Sequence, residues 1–363
     1  MQKLRLVLSF DHELSLGGTD SYRYNLFDPT DQLLRLAGDL GVPIVLFTDV
    51  LCAMRFVDWD HDGFFVPYRR QLESALRSGH DVQLHVHPHW VDSTWAGGVY
   101  QPSTSFALDA FATAEPPNDI RSIVRRSYDF LSELCLAADP RYSCIAYRAG
   151  GFNLSPHEKL LPALRECGIR IDSSIIKGYR FSSGISQVDY SEIPARANWT
   201  LFPWGIFEVP IAAKPRTPLN NVPFLVNRVL HRRRAHDPKG RTIHAAHTGM
   251  LARLGKLFPR SAWTLGFDDA AQSLGDVMGI LYAHLEAHRR DDQVICAAIA
   301  HPKNMGPYEF GLMRGFVERA RSELGSALTF TTFQELHREM RSPQVQTREA
   351  GPFASSGLGI RKP

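Results

Sequence analysis

Apolar residues along this chain follow two spacings. Short runs bounded by polar or turn-forming residues read as strands at 4–10, 43–48, 81–87, 143–147, 169–175, 207–211, 294–300 and 328–331. Between them the apolar positions change period. Leu33, Leu34, Leu36 and Leu40 recur at helical spacing after Pro29, and the same period marks helices over 68–77, 120–136, 156–167, 269–288 and 311–324. Gly168 stands just past the fourth of these as a stop signal. Strands alternating with helices imply a parallel α/β sheet. Seven or eight such units in 363 residues favour a closed or incomplete, deformed (β/α) barrel over an open doubly wound sheet. Three long segments, 91–117, 177–206 and 212–262, interrupt the rhythm, and loops of that length commonly carry lids or binding elements. Residues 1–340 are therefore expected to form one barrel with inserted loops. The Ser-, Gly- and Pro-rich 341–363 reads as a disordered tail.

Composition narrows the class. With 44% hydrophobic and 22% charged residues the chain is neither disordered, collagen-like nor a disulfide scaffold. No apolar run is long enough to span a membrane, and a strand starting near residue 4 leaves no room for a signal peptide, so a cytoplasmic protein is expected. The five cysteines, with no close pair, read as buried thiols. Charge is unevenly placed. The formal total is +3, but 212–262 holds eleven Lys or Arg against Asp237 alone, leaving −7 for the rest. This segment, with Arg232-Arg233-Arg234, is either a solvated face or a site of attraction for an anionic partner. The partners that suit it are a phosphorylated or nucleotide-linked sugar, an acidic glycan, or a lipid-linked glycan met by peripheral contact at the membrane surface. Nucleic acid is not expected, since no recognised module is present.

In a parallel barrel the reactive groups gather at the carboxyl ends of the strands. Those ends carry Ser9-Phe10-Asp11-His12-Glu13, His85-Val86-His87-Pro88-His89, Arg148-Ala149-Gly150-Gly151, Asp172-Ser173-Ser174 and His301-Pro302. One strand-end His or Asp alone is more often structural than functional. Three histidines within five residues, facing an acidic pair, suit Zn²⁺ or a similar divalent ion with three protein ligands and an open position.

The order of these motifs resembles the polysaccharide deacetylases of the NodB-homology group, metal-dependent carbohydrate esterases built on an incomplete (β/α) barrel. The likeness runs from residue 11 to residue 301. Asp11-His12-Glu13 stands where that family commonly has Asp-Asp. His85 and His89 match its His-x-x-x-His, Arg148-Ala149-Gly150-Gly151-Phe152 its third motif, Asp172-Ser173-Ser174 its fourth and His301 its fifth. The resemblance implies one divalent metal, zinc being favoured over iron, cobalt or nickel, held by Glu13, His85 and His89. His12 is the alternative third ligand, because the usual pattern would put the metal-binding carboxylate there. Glu13 is preferred since residues two apart on a strand share a face. His87 shares that face too but falls in the family's variable slot, which suggests a supporting or substrate-contacting role.

The implied reaction is hydrolysis of an amide. Asp11 would take a proton from the attacking water, oriented by an ion pair with Arg148. His301, held protonated by a carboxylate such as Asp172, would protonate the departing amine. Gly150, Gly151 and Phe152 would border the substrate. Trp90, Trp95 and Tyr100 either stack on sugar rings or pack their loop onto the barrel, and Trp199 and Trp204 are equally open. The expected substrate is an acetylated amino sugar or glycan of cell-surface polysaccharide or lipopolysaccharide assembly. Two alternatives stand beside it: O-acetyl ester hydrolysis at the same centre, and an inactive barrel that only binds glycan.

Overall fold

A computed structural model describes residues 2–15, 22–59, 62–96, 99–182, 186–217, 262–269 and 271–340, with Val222 and Val226. The alternating pattern becomes β1 (Lys3–His12), α1 (Asp28–Leu40), β2 (Val45–Asp49), α2 (Val50–Asp58), α3 (Asp62–Arg77), β3 (Asp81–Val86), α4 (Ile120–Leu136), β4 (Ala146–Ala149) and α5 (His157–Cys167). There follow β5 (Ile171–Asp172), β6 (Trp199–Leu201), β7 (Ile206–Glu208), α6 (Leu274–Ala287), β8 (Gln293–Ala300), α7 (Pro307–Leu324), β9 (Leu328–Phe330) and α8 (Phe333–Met340). The strands lie in the order β6-β7-β5-β4-β3-β2-β1-β8, with β9 also on β1, and every pair is parallel except β6 with β7.

The sheet curls into a deformed (β/α) barrel. Its far edge returns to β8 through single bridges, Ile211 with Ala297 and Gly266 with Ile299, rather than through a full ladder. Ala212 N donates to Ala297 O at 2.9 Å, and Ala297 N donates to Pro210 O at 3.0 Å.

Successive strand side chains point to opposite faces, and here both faces are covered. Leu4, Leu6, Leu8 and Phe10 of β1, Leu84 and Val86 of β3, and Cys296 and Ala298 of β8 pack outward against the helices. Val7, Val45, Phe47, Ile171, Ala297 and Ile299 fill the interior, closed at the amino end of the strands by Phe333 and Leu336 of α8. This alternation fixes where polar residues point. Asp11 and Glu13 share Val7's inward face, and His12 shares Phe10's outward one. Asp172 follows inward-facing Ile171 and so points outward.

The helix stop expected at Gly168 is there, as a left-handed residue with φ 102°. Helix α6 starts later than expected, at Leu274, because Ser273 and Asp276 form a reciprocal cap: Ser273 N donates to Asp276 Oδ2 at 2.8 Å and Asp276 N to Ser273 Oγ at 3.2 Å. Helix α2 was not expected. Residues 50–57 are apolar almost throughout and follow β2 without a turn, so no period separates them from the strand.

The inserted segments have local order. Thr94–Ala96 pairs with Val99–Gln101, and Arg180–Ser182 with Gln187–Asp189. Ala213–Pro215 pairs antiparallel with Ala262–Thr264, so the two ends of the basic segment leave the barrel side by side. The run Arg232-Arg233-Arg234 and the tail 341–363 lie outside the described residues. All five cysteines are buried and free. Among the described residues no helix is long and apolar enough to cross a membrane.

Candidate metal and catalytic site

Register brings the strand ends together. Phe10 lies opposite Ala300, Asp11 opposite Phe47, Asp49 opposite His85, and His85 opposite Arg148. Inward-facing residues at and just beyond these positions converge at the carboxyl end of the barrel. They are Asp11, Glu13, Asp49, His85, His87, Arg148 and His301, and all but His301 are buried.

Among the described residues, Glu13, His85 and His87 form the one group of three whose candidate ligand atoms all lie within 4.8 Å of one another. His85 Nδ1–H donates to the Arg148 carbonyl at 2.8 Å, and Nε2 faces Glu13 Oε2 at 3.1 Å. His87 Nε2 also meets Glu13 Oε2. Such a backbone acceptor on the far ring nitrogen is the usual way a ligating imidazole is oriented. Electrostatics agree with a cation site. Burial favours a neutral Glu13, but His87, Lys303 and the hydrogen bonds from both imidazoles outweigh it, and the pKa lies well below the usual carboxylate range. Burial lowers His85, yet Asp11 and Glu13 prevail and push it up to about 9, the behaviour of a pocket that draws positive charge. Two nitrogens and one oxygen fit the donor set of a divalent ion held by three protein ligands.

Asp11 stands beside this cluster. Arg148 Nη1 donates to its Oδ1 at 2.6 Å, while Oδ2 lies 3.9 Å from His85 Nε2 and 3.7 Å from His301 Nε2. Arg148 is itself fixed by Ser173 O at 2.9 Å, Ser9 Oγ at 2.7 Å and the face of Phe47 at 4.2 Å. Burial raises the Asp11 pKa, but Arg148, His85 and His301 overcome it and keep the carboxylate ionised. His301, 24% exposed at the side chain, donates Nδ1–H to Asp268 Oδ2 at 2.7 Å, and the same oxygen accepts His301 N at 3.0 Å. Burial lowers its pKa, but Asp268, Glu13 and Asp11 outweigh burial, and the balance is upward.

Four expectations need correction. His89 is not in the ligand group. The chain stays extended only to His87, then Pro88–Trp90 forms a 3₁₀ turn that carries the His89 ring against Trp90 and Phe106, so His87 stands with Glu13 and His85 instead. His12 faces the helices and cannot serve as the alternative ligand. Its Nε2–H donates to Gln71 Oε1 at 2.9 Å and its Nδ1 accepts from Thr48 Oγ1 at 2.8 Å, with burial lowering its pKa to about 4. Asp172 does not reach His301. It accepts from Ser174 N and Ser174 Oγ, both at 2.9 Å, beside Glu208 on the outward side of β5, and burial keeps both acids up in pKa. Trp90 is 1% exposed, packed with Phe56, Trp59 and Tyr100, and has no face for a substrate.

The third motif borders the site as a tight backbone turn. Gly150 is buried, and a Cβ there would lie 2.6 Å from Val86 O and 2.8 Å from His87 Nδ1. Gly151 and Phe152 both take positive φ, 61° and 60°, and the Tyr190 hydroxyl donates to Phe152 O at 2.6 Å. A non-glycine residue held left-handed is strain of the kind that collects at functional sites.

Three further groups line the site outside the motifs. Lys303 Nζ donates to Glu13 Oε1 at 2.6 Å and to Leu14 O at 3.1 Å. Asp268 ends the apolar stretch 262–267 much as Asp11 ends β1, a signal available in the sequence. Asp49, at the end of β2, accepts His87 N at 3.4 Å, and burial raises its pKa to about 6 against the pull of His87 and His85.

A deformed (β/α) barrel of this kind is the NodB-like fold of the polysaccharide deacetylases. Solved structures bear out the fold. A polysaccharide deacetylase, so described with reservation, from Mycobacterium smegmatis superposes with a TM-score of 0.52 at 14% identity, covering 100% of this chain and 95% of its own. An allantoinase gives 0.50 at 10% identity, with coverage of 95% and 92%. A branching enzyme from Thermococcus kodakaraensis also gives 0.50, at 9% identity, with coverage of 94% and 72%. No family model and no curated protein matches the sequence. One barrel therefore serves different chemistries, and function is decided by the site built on it.

Proposed function

We propose that this protein is a metal-dependent hydrolase of a carbon–nitrogen amide bond, an N-deacetylase acting on an amino sugar in the assembly of cell-surface polysaccharide or lipopolysaccharide. The observation that carries this reading is the flanking of one ligand group by a base and an acid. Asp11 Oδ2 lies 3.9 Å from His85 Nε2 and 3.7 Å from His301 Nε2, so both proton-transfer groups address the same small space.

Glu13, His85 and His87 would hold a divalent ion, zinc by preference, which when bound polarises the amide carbonyl and acidifies the attacking water. Asp11 takes the proton of that water through Oδ2, since Arg148 occupies Oδ1. The water oxygen bonds to the carbonyl carbon and the carbon–nitrogen bond breaks. His301 gives the Nε2 proton to the departing amine, and Asp268 on Nδ1 stabilises the charged imidazole beforehand. Gly151 and the strained Phe152 border the space where the sugar enters. The basic segment 212–262 supports a substrate with a nucleotide, phosphate or lipid-linked carrier, met in the cytoplasm.

Acetate release from N-acetylated amino sugars tests the reading, with free amine assayed in parallel. Asp11→Asn is expected to keep its metal and lose about 10²- to 10⁴-fold in turnover. Acetate without free amine would mark an O-acetyl ester hydrolase. Stoichiometric glycan binding with no product would make the barrel a binding protein.

A further inference from the structure

We infer that Lys303 is a positioning residue for Glu13: its ammonium group occupies Oε1, leaves Oε2 alone to face the two imidazoles, and weakens the site's hold on a divalent cation. The inference rests on the reading of Glu13, His85 and His87 as metal ligands.

Lys303 is 7% exposed, a rare state for lysine and an unfavourable one unless the ammonium is paired. Its partners are Glu13 Oε1 at 2.6 Å and Leu14 O at 3.1 Å, both on the segment that ends β1. The residue sits in the 3₁₀ turn Pro302–Asn304, directly after His301. One short turn thus supplies both the group that faces Asp11 and the cation that holds Glu13.

The two oxygens of Glu13 are divided between different positive groups. Oε2 receives the imidazoles of His85 and His87, and Oε1 receives the ammonium, with His301 Nε2 3.7 Å away. A carboxylate divided in this way presents one oxygen to an ion. Hydrogen bonds to the free oxygen of a ligating carboxylate fix its orientation and moderate its charge. A fixed ammonium close to a divalent ion also repels it, strongly so in a buried setting. The arrangement therefore costs metal affinity, and in return keeps a bound ion short of electron density and so a stronger polariser of a carbonyl. A purely structural lysine, tying the end of β1 to the turn, would behave differently on removal. Stability would fall, and metal affinity would fall with it or stay unchanged.

Calorimetric titration of Zn²⁺ into the metal-stripped full-length protein separates the two, with circular dichroism of each metal-free variant as the check on folding. Lys303→Met and Lys303→Gln are expected to bind Zn²⁺ roughly tenfold or more tightly than the wild type. Lys303→Arg, which keeps the charge, is expected to stay near the wild-type value. Lys303→Gln retains a hydrogen-bond donor for Glu13 and decides the matter if Lys303→Met does not fold. Unchanged or weaker binding in the folded neutral variants would overturn the inference while leaving the metal site standing. No Zn²⁺ binding by the wild type would overturn the metal site and the inference together.

Discussion

Asp11 and Glu13 share a strand face, yet their counter-charges differ and so do the roles proposed for them. Asp11 is bound on one side by Arg148 and left open on the other, as a base requires. Glu13 is enclosed by two imidazoles and Lys303, as a ligand would be. The same logic separates Asp268 from Asp172. Asp268→Asn should lower turnover by about 10²-fold, because the imidazole of His301 loses the charge that stabilises its protonated form. Asp172→Asn should leave turnover within a few-fold and lower stability by about 1–3 kcal/mol, since the bonds it alters are those to Ser174 and Glu208 on the outward side of the sheet. Initial rates beside urea unfolding distinguish the two, and equal losses of activity would contradict the assignment. Strand parity made the shared inward face of Asp11 and Glu13 legible from sequence alone. The same parity, applied to Ile171-Asp172, would have excluded Asp172, whereas motif order placed it in the site. His87 was legible on parity as well, and the choice of His89 overlooked what Pro88 does to an extended chain.

At the scale of elements, the strand ends are held from both faces. On the outward side His12, Thr48 and Tyr68 form a hydrogen-bonded chain, and Gln71 of α3 joins it to Asp31 of α1. On the inward side the third motif presses against His87 with no room for a side chain. Gly150→Ala is expected to cost about 1–3 kcal/mol, because the obstructing atom 2.6 Å away is the backbone oxygen of Val86 and cannot move aside cheaply. A lower melting temperature together with weakened metal binding would confirm that the glycine makes space for the imidazole. At the opposite end of the barrel, Asp81 accepts from Gln83 Nε2 at 2.8 Å and from Gln334 N at 3.1 Å, at the start of α8. Burial nevertheless pushes its pKa up to about 7, those hydrogen bonds opposing the shift. A carboxyl raised in the folded state contributes stability that is complete below its unfolded pKa and is lost as pH rises through its folded one. Stability should therefore fall between about pH 4 and pH 7 by on the order of a few kcal/mol, and Asp81→Asn should flatten that slope in urea titrations. The expected strands are all present, because each is an apolar run with turn signals on both sides. Helix α2 was hidden because it follows β2 with no break in hydrophobicity.

At the scale of the whole molecule, the barrel has a seam. Seven strands and β9 make parallel contacts, but the far edge meets β8 through isolated bridges at Ile211 and Gly266. The second bridge lies two residues before Asp268, so the seam itself delivers the carboxylate that holds His301. The apolar stretch ending at Asp268 is visible in the sequence, but its place in the barrel is not, since single bridges leave no strand-length pattern and the segment follows the long insertion 212–262. The chain leaves the barrel for the insertion and re-enters it through one antiparallel pair, Ala213–Pro215 with Ala262–Thr264. The central claim is that Glu13, His85 and His87 bind the ion required for amide hydrolysis. Elemental analysis after zinc reconstitution, on the wild type, His87→Ala and His89→Ala, with acetate release measured on the same samples, tests it most directly. About one ion per chain in the wild type and in His89→Ala, lost with activity in His87→Ala, is the predicted result. Metal retained in His87→Ala and lost in His89→Ala, or equal in all three, would contradict it.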